Sequence, residues 1–245
     1  MQYREYTDSL GTVHIPVDKL WGPVTQRAYN NFKIGSHIMP WDIVQALAQI
    51  KKSAAKANQK LGNLSKEKMQ AINEASDLII NGNLKTHFPL PVWQTGSGTH
   101  TNMNVNEVIS NWCNTHHPGL HIHPNDDVNR SQSSNDTFPT AIHIATLKKA
   151  TERLLPALES LEGSFSVKAS SLQAFIKPGR THMMDAVPMR LGEEFRSYQG
   201  RLKQAINNIY QQTGALTYVP VGGTAIGTEL NAPEGFREMI IDILR

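Results

Sequence analysis

The spacing of apolar residues changes along the chain, and each change marks a predicted element. Turn-forming residues surround short alternating stretches in TDSLGTVHIPVDKLWG, which favours a small extended hairpin. Helical spacing follows in MPWDIVQALAQIKKSAAKANQKLG and in LSKEKMQAINEASDLIINGN. Asp42 near the start and Gly62 at the end delimit the first helix, while Ser65 as a cap and Asn81-Gly82 as a stop delimit the second.

Apolar residues of the second half recur at steps of four and three, as in helices that pack along one face. The first set is Leu154, Leu158, Leu161 and Phe165. The second set is Leu191, Phe195, Tyr198, Leu202, Ala205 and Ile209. Such spacing predicts long bundle helices that pack against other chains. Pro156 should kink the first helix, because a proline inside a helix removes one backbone hydrogen bond.

The last stretch, EGFREMIIDILR, predicts an amphipathic helix with an apolar face. That face consists of Phe236, Met239, Ile240 and Ile243. The pattern reaches Arg245 without a Gly, a Pro or another capping residue. We therefore expect a shortened chain, since helices usually end with such a residue.

Composition narrows the class of protein. With 245 residues, of which 39% are hydrophobic and 18% charged, the chain can bury the core of one large or two smaller domains. The net charge of +3 comes from Lys and Arg spread along the chain, so we expect no nucleic-acid partner. Cys113, the single cysteine, excludes an internal disulfide framework. Since neither a targeting signal nor a membrane-spanning run is present, we expect a cytoplasmic protein without a membrane partner.

Four segments rich in Gly, Ser, Thr, Asn and His each precede a helical pattern. They are QTGSGTHTNMNVNEVISN at 94–111, HPNDDVNRSQSSND at 123–136, KPGRTHMMDAVPMRLGEEF at 177–195 and VGGTAIGTELN at 221–231. Taken singly, such residues are mostly caps and turns, and Asn135 or Asp136 is a credible cap. Taken together, they favour helix starts that converge on a small anion, because free backbone N–H groups bind carboxylate or phosphate. Gly96 and Gly98 would let the backbone approach that ligand.

A metal site is the alternative for the histidine-rich region. It would use His116, His117, His121, His123, Asp126 and Asp127. His121 and His123 would then share one face of a strand, but no cysteine accompanies them and the spacing matches no closed zinc site. GSGTHTN is not a phosphate loop, since the GK[ST] ending is missing. His182 follows Gly-Arg-Thr beside a polar turn, where an imidazole could donate or accept a proton.

The four segments, in this order, resemble the fumarase/aspartase superfamily and are most similar to its class II fumarases. GSGTHTNMNVNEVISN resembles the first active-site region, and HPNDDVNRSQSSNDTFPTA resembles the second-site loop with the region after it. GRTHMMDAVP and VGGTAIGTELN resemble the GRTH-x-x-DA-x-P and GGTA-x-GT-x-LN segments. The similarity runs from Asp18 to the end, and His182 favours fumarases over aspartases, which tend to carry Gln there.

The resemblance implies a mainly α fold, with a mostly helical domain at 1–134 and an incomplete long-helix bundle domain at 135–245. It implies reversible hydration of fumarate to (S)-malate, in the tricarboxylic acid cycle, by a homotetramer whose active sites each use three subunits. His182 would act as an acid or orient water. The residues implied for substrate binding are Ser97, Gly98, Thr99, Ser133, Ser134, Asn135 and Thr181. Those implied for a secondary site are His123, Pro124, Asn125 and Asp126. No metal or organic cofactor is implied.

The chain also departs from the family pattern. A GSS-x-x-PGK-x-N loop, which supplies the serine base of the family, is absent, so we expect little activity from this chain alone. Glu229 stands where the family usually has Gly, and Met183-Met184 replaces Leu-Gln. The family's Arg before the secondary-site His is unmatched, with Leu120 nearby. The alternatives are a non-catalytic oligomerising fragment and an aspartase-type ammonia lyase.

Overall fold

The computed structural model describes residues 2–8 and 10–245, and internal contacts divide the chain into two compact units. The first unit comprises residues up to Ala145 together with Val219–Arg245, and the second comprises Thr146–Tyr218. The described residues form eight α-helices and two short antiparallel hairpins, which confirms the mainly α prediction. The predicted domain boundary between 134 and 135 stays a prediction.

The first unit opens with the predicted hairpin. Strand β1 (Tyr3–Asp8) pairs antiparallel with β2 (Gly11–Pro16), so that Tyr3 lies opposite Pro16. Residue 9, within the predicted turn, lies outside the described residues. The hairpin is therefore confirmed, although it begins before the stretch from which it was predicted. Helix α1 (Pro23–Asn31) follows, with proline in its first turn.

Three further helices build the core of the first unit, and a fourth leads out of it. They are α2 (Trp41–Lys60), α3 (Lys66–Ile80), α4 (Thr99–His116) and α5 (Ser134–Lys149). The predicted bounds of the first two are nearly correct, and the Ser65 hydroxyl accepts a hydrogen bond from the Lys68 N–H at 3.2 Å, which confirms that cap. Fully buried side chains from α2, α3 and α4 share one cluster, which includes Leu47, Ile50, Ile72, Ile79, Val105 and Ile109.

The last helix, α8 (Phe236–Leu244), completes this core by packing on α2. Phe236 and Ile240 are buried, while Met239 and Ile243 are partly buried against the same cluster. The predicted apolar face is therefore confirmed. Gly235, in the left-handed conformation with φ of 81°, precedes the helix.

The second unit consists mainly of two long helices and a hairpin. Between α5 and α6 (Leu155–Ser171) lies a π-helical segment, Ala150–Leu154. Pro156 lies in the first turn of α6, directly after this π-helical segment, and the predicted kink stays a prediction. Hairpin β3 (Ile176–Thr181) and β4 (Met184–Arg190) precedes α7 (Leu191–Thr213).

Helices α6 and α7 pack on each other through aromatic rings. The ring centroids of Phe165, Phe195 and Tyr198 lie 6.0–6.3 Å apart, a spacing typical of edge-to-face contacts. These residues belong to the two apolar sets read from the sequence. The second set lies on α7 and is called the α7 seam: Leu191, Phe195, Tyr198, Leu202, Ala205 and Ile209. Among the described residues, every helix is too short or too polar to span a bilayer.

Candidate functional site

The starts of α4 and α5 lie against each other in the first unit. The Asn102 Nδ2, one turn into α4, donates to the Ser134 Oγ at 3.0 Å. Gly98 has φ of 69°, and a Cβ there would lie 2.1 Å from Cγ of the Phe138 ring. Only glycine fits this position. Segments 97–99 and 133–138, which the sequence analysis selected separately, are therefore brought together.

The fourth polar segment joins the same place. The Asn135 Nδ2 donates to the Ala225 carbonyl oxygen at 2.9 Å. One oxygen of the Asp136 carboxylate, Oδ2, accepts from the backbone N–H groups of Gly222 at 3.1 Å and Thr224 at 2.9 Å. Three of the four segments thus converge within one unit.

The cap of α5 is Ser133, and the expectation that Asn135 or Asp136 would be the cap is wrong. The Ser133 carbonyl accepts from the Thr137 N–H at 3.0 Å, and its hydroxyl accepts from the Asn135 N–H at 3.2 Å. Asp136 reaches back, and its Oδ1 accepts from the Ser133 N–H at 2.9 Å. Asp136 thus returns a hydrogen bond as the distal residue of a capping box does, while the Ser133 hydroxyl accepts from Asn135, one residue earlier than in a standard box.

The first segment presents hydroxyl groups close to the start of α4. Ser97 Oγ lies 3.1 Å from Thr99 Oγ1, and Thr95 Oγ1 lies 3.2 Å from Nδ1 of His100. Ser97 is exposed and Thr99 is half-buried. Hydroxyl and amide donors beside helix N-termini can hold a carboxylate without the burial of many full charges.

Two buried charged groups lie beneath these donors, and the sequence analysis selected neither for the site. Burial lowers the pKa of the Lys51 ammonium to about 7, although the Asp136 carboxylate opposes the shift. Burial also raises the pKa of Asp136, against the effect of three backbone N–H donors and Lys51. For both groups the cost of desolvation exceeds their mutual attraction. Lys51 follows Leu47 by four residues, so its place on an apolar stripe was visible in the sequence.

The predicted secondary-site residues lie on the surface of the first unit. Pro124–Val128 form one π-helical turn, for which His123 is the cap. The backbone N–H groups of Asn125 and Asp126 donate to His123 Nδ1 at 3.3 and 3.1 Å. The neutral ring therefore carries its proton on Nε2, which leaves Nδ1 unavailable for an ion pair with the Asp126 carboxylate at 3.2 Å. Binding at this place stays a prediction.

The strand that the metal alternative required at His121 and His123 does not form. His121 has φ of 47°, and neither it nor His123 lies in a strand. Asp127 is instead paired with the Lys68 ammonium at 2.8 Å and accepts from the His123 N–H at 2.8 Å. Within 2–8 and 10–245, no group of three or more His, Cys, Asp or Glu side chains is arranged to hold a metal.

Thr181 and His182 belong to the second unit. Thr181 pairs with Met184, so His182 and Met183 are the central residues of a two-residue turn between β3 and β4. Their φ angles of 53° and 59° are those of a type I′ turn, which normally uses Asn-Gly. The segment therefore presents His182 at a hairpin tip, not at a helix start. His182 is exposed, and such a strained turn is typical of a functional position.

The fold and these segments are those of the lyase family, whose sequence model matches residues 11–245. The chain belongs to that family. It is similar to the class II fumarate hydratases of Chlamydia pneumoniae, at 49% identity over 99% of the chain, and Bacillus subtilis, at 46% over 98%. It also superposes on the crystal structure of a class II fumarase from Schistosoma mansoni with a TM-score of 0.94, at 42% identity over 99% of the chain.

These matches confirm the family resemblance that the four segments predicted. The chain spans about half the length of the relatives: 54% of the Chlamydia protein, 53% of the Bacillus protein and 52% of the Schistosoma structure. The roles of the individual site residues stay predictions.

Proposed function

We propose that the chain forms part of a class II fumarate hydratase, which adds water reversibly to fumarate to give (S)-malate. The observation that carries this proposal is the convergence of three donor-rich segments at the starts of α4 and α5. It is supported by 46–49% identity to enzymes with that name. The carboxylates of the substrate would be held by Ser97, Gly98, Thr99, Ser133, Ser134 and Asn135.

The chemistry explains why neutral donors suit this place. In the dehydration direction, malate loses a proton from the carbon beside one carboxylate and hydroxide from the neighbouring carbon, which leaves as water after protonation. The intermediate places extra negative charge on the carboxylate next to the carbanion. Donors that are already oriented stabilise that charge more than they stabilise the substrate, and this lowers the barrier.

In the proposed homotetramer, whose sites each use three subunits, Thr181 and His182 would be supplied by the β3–β4 hairpin of another subunit. We assign Thr181 to substrate binding and His182 to proton transfer or to orienting the water. The exposed, strained turn supports this role, because strain at a hairpin tip persists where function requires the conformation. The other subunits of a homotetramer would supply the remaining parts of each site.

The same proposal covers the cellular setting and the second ligand position. We propose a cytoplasmic homotetramer of the tricarboxylic acid cycle, assembled through the half-exposed α7 seam.

We also propose that His123, Pro124, Asn125 and Asp126 form a secondary site, where the exposed Nε2 of His123 would donate a hydrogen bond to the bound ligand. Because this chain lacks the arginine that the family carries before the secondary-site histidine, we expect weaker binding here than in relatives that have it.

The proposal is tested by complementation. The chain is assayed alone and after co-expression with the part of the Bacillus subtilis enzyme that it does not match, and fumarate absorbance is followed. We expect little turnover by the chain alone and clear turnover by the complemented assembly. Activity with aspartate in place of malate would favour an ammonia lyase. A defined oligomer without any turnover would favour a non-catalytic fragment.

His182→Asn tests the proposed proton transfer in the complemented assembly. We expect kcat to fall by about 100-fold with little change of KM, since a general acid or base contributes mainly to the transition state. The matched control is His37→Asn, an exposed histidine of the first unit, and it should keep the parental kcat. A change confined to KM would mean that His182 only binds substrate.

A further inference from the structure

Lys51 is a buried cation that the proposed chemistry does not use. It lies in the middle of α2, and its relative exposure is 0%. Among the residues that the structure describes, no other lysine or arginine is buried. Leu47, Ile50 and Ala54 flank it on the same buried stripe. Lysine is almost never found at such a position without a reason, because the ammonium loses its hydration.

The ammonium is directed at the segment that leads into the substrate-binding turn. Lys51 Nζ donates to Asn129 Oδ1 at 2.8 Å and to Gln132 Oε1 at 3.0 Å. The Asn129 Nδ2 in turn donates to the Gln132 carbonyl at 3.2 Å. One buried nitrogen thus holds two side chains that directly precede Ser133–Asn135. The α2 helix, more than seventy residues earlier in the chain, supports this loop from beneath.

A second set of bonds carries the contact to Ser134. The Asn102 Nδ2 donates to Asn129 Oδ1 at 3.2 Å and to Ser134 Oγ at 3.0 Å. The single proton of the Thr137 hydroxyl has two acceptors in reach, the Ser133 carbonyl at 2.8 Å and Asn102 Oδ1 at 3.3 Å. Because Ser134 Oγ already accepts a hydrogen bond, its own proton is available to a ligand. Lys51, Asn129 and Asn102 therefore set Ser134 as a donor.

The charges around Lys51 give no structural reason for a lysine at this buried position. Its two direct acceptors are neutral amides, and Asp136, the carboxylate whose charge raises the pKa of Lys51, is already bound by three backbone N–H groups. Burial without a direct carboxylate partner destabilises the charged form, which agrees with the lowered pKa of Lys51. An apolar residue of similar size would fit the stripe at lower cost. A positive charge is useful here if an anion binds above the loop.

We propose that Lys51 is a positioning residue for the substrate-binding turn Ser133–Asn135. It holds Asn129 and Gln132 in place, orients the Ser134 hydroxyl toward a carboxylate and adds positive potential beneath the dicarboxylate. The inference rests on the proposed function, since that function supplies the dicarboxylate ligand.

The test compares Lys51→Met with Lys52→Met. Lys52 is the neighbouring lysine of the same helix, and its ammonium pairs with Asp77 at 2.6 Å, away from the loop. Amide hydrogen exchange is measured in the chain itself over residues 129–136, with residues 66–80 as an internal reference. We expect exchange at 129–136 to become about tenfold faster in Lys51→Met only, because opening of the turn is then easier.

Kinetics in the complemented assembly give the second measurement. Lys51→Met should lower kcat/KM by about tenfold or more with a loss in kcat, whereas Lys52→Met should stay within about twofold of the parent. A purely structural role would lower stability without this loss in the folded enzyme. The inference is overturned if, in Lys51→Met, both the amide hydrogen exchange at 129–136 and kcat/KM stay within about twofold of the parent.

Two further outcomes are also decisive. If the parental assembly has no hydratase activity, the proposed function fails, while exchange at 129–136 still decides whether Lys51 holds the turn. If Lys51→Met does not fold, Gln132→Met replaces it, because it removes one acceptor without emptying the buried position. We expect exchange about threefold faster at the turn in Gln132→Met, and unchanged exchange would overturn the inference.

Discussion

Helices α4 and α7 are each about one third apolar, yet they bury very different shares of their residues. Helix α4 buries ten of its 18 residues, six of them Thr, Asn, Glu or Ser, whereas α7, with its apolar seam, buries only Gly192 and Ile206 of 23. Polar side chains are therefore inside the first unit, and apolar ones remain at the surface of the second. Burial depends on whether a partner lies opposite each side chain, and residue class alone does not decide it.

The polar interior of α4 is stabilised by partners that are distant in sequence. The Glu107 carboxylate accepts from the N–H groups of Gly22, Val24 and Thr25 at 2.8–3.1 Å, and from the Thr25 hydroxyl at 2.6 Å. It thereby caps the start of α1. Burial raises the pKa of Glu107, while these hydrogen bonds oppose the shift. Asn104 likewise donates to the His87 carbonyl at 3.1 Å.

The α7 seam lacks an equivalent partner along most of its length. Each of the six seam residues is half-buried or exposed in this chain, even where Phe195 and Tyr198 contact Phe165 of α6. A seam with helical periodicity and unburied apolar area is what an assembly interface requires. The contrast with α4 thus supports the proposed homotetramer.

The largest expected effect is a difference in stability loss between the same leucine-to-alanine change in the first unit and in the second. Leu47→Ala, in the fully buried stripe of α2, should lower the free energy of unfolding by about 3 kcal/mol, because it leaves a cavity. Leu202→Ala, the same change in the half-buried seam, should cost below about 1 kcal/mol in the unassembled chain. Urea denaturation followed by circular dichroism measures both. Equal losses would contradict the contrast between the units.

Above pH 7, the free energy of unfolding should depend on pH through Lys51 of the first unit. The pKa of Lys51 is about 7 in the folded chain and 10.5 without burial, so between these values the unfolded chain binds one more proton. The free energy of unfolding should therefore rise with pH above 7, by up to about 1.4 kcal/mol per unit from this group. Below pH 7 both states are protonated and Lys51 adds no slope.

Urea denaturation at pH 7, 7.5 and 8 measures this slope in the parent, in Lys51→Met and in Lys52→Met. The range stays below pH 9 because burial raises the pKa of the Cys113 thiol to about 12, and that group would give an opposite slope at higher pH. The slope should disappear in Lys51→Met and persist in Lys52→Met, which retains the buried ammonium. A parental slope that survives in Lys51→Met would assign the titration to another group.

A smaller effect is expected on the self-association of chains through the α7 seam of the second unit. Tyr198→Lys places a charge on the α7 seam and should weaken self-association by about tenfold, since like charges would meet at a copied interface. The free energy of unfolding of the separate chain should fall by about 1 kcal/mol, because the change removes the ring contacts of Tyr198 with Phe165 and Phe195. Light scattering across a concentration series measures the association. Tyr210→Lys, an exposed tyrosine of α7 outside the seam, is the control and should leave it unchanged.

The smallest effect is expected at Glu229, the position where the family usually has glycine. Its φ of 62° is left-handed, which explains that preference, and its carboxylate pairs with Arg237 at 2.8 Å. Glu229→Gly relieves strain of about 1 kcal/mol but loses an exposed ion pair worth about 0–1 kcal/mol. The midpoint of urea denaturation should therefore hardly move. A loss above about 2 kcal/mol would mean that the ion pair holds the 221–231 turn.

Local features were predictable from the sequence. The helix start at Ser65 and the apolar face of α8 were correct, because both depend on residues within a few positions of each other. The capping of α5 was predicted at the wrong residue, since Ser133, Asn135 and Asp136 are all good caps. Which of them acts depends on Gly222 and Thr224, whose N–H groups engage one Asp136 oxygen.

The sequence by itself determined the periods of the helices, the four polar segments and the family to which they belong. These are recorded in residue type and spacing over short stretches. The tertiary structure alone decided which polar groups are buried, for example Lys51 beneath Asn129 and Glu107 beneath Gly22. It also decided that His182 lies at a strained hairpin tip. The reason is physical: a buried polar group is tolerated only when its partner lies opposite, and that partner comes from a distant part of the chain.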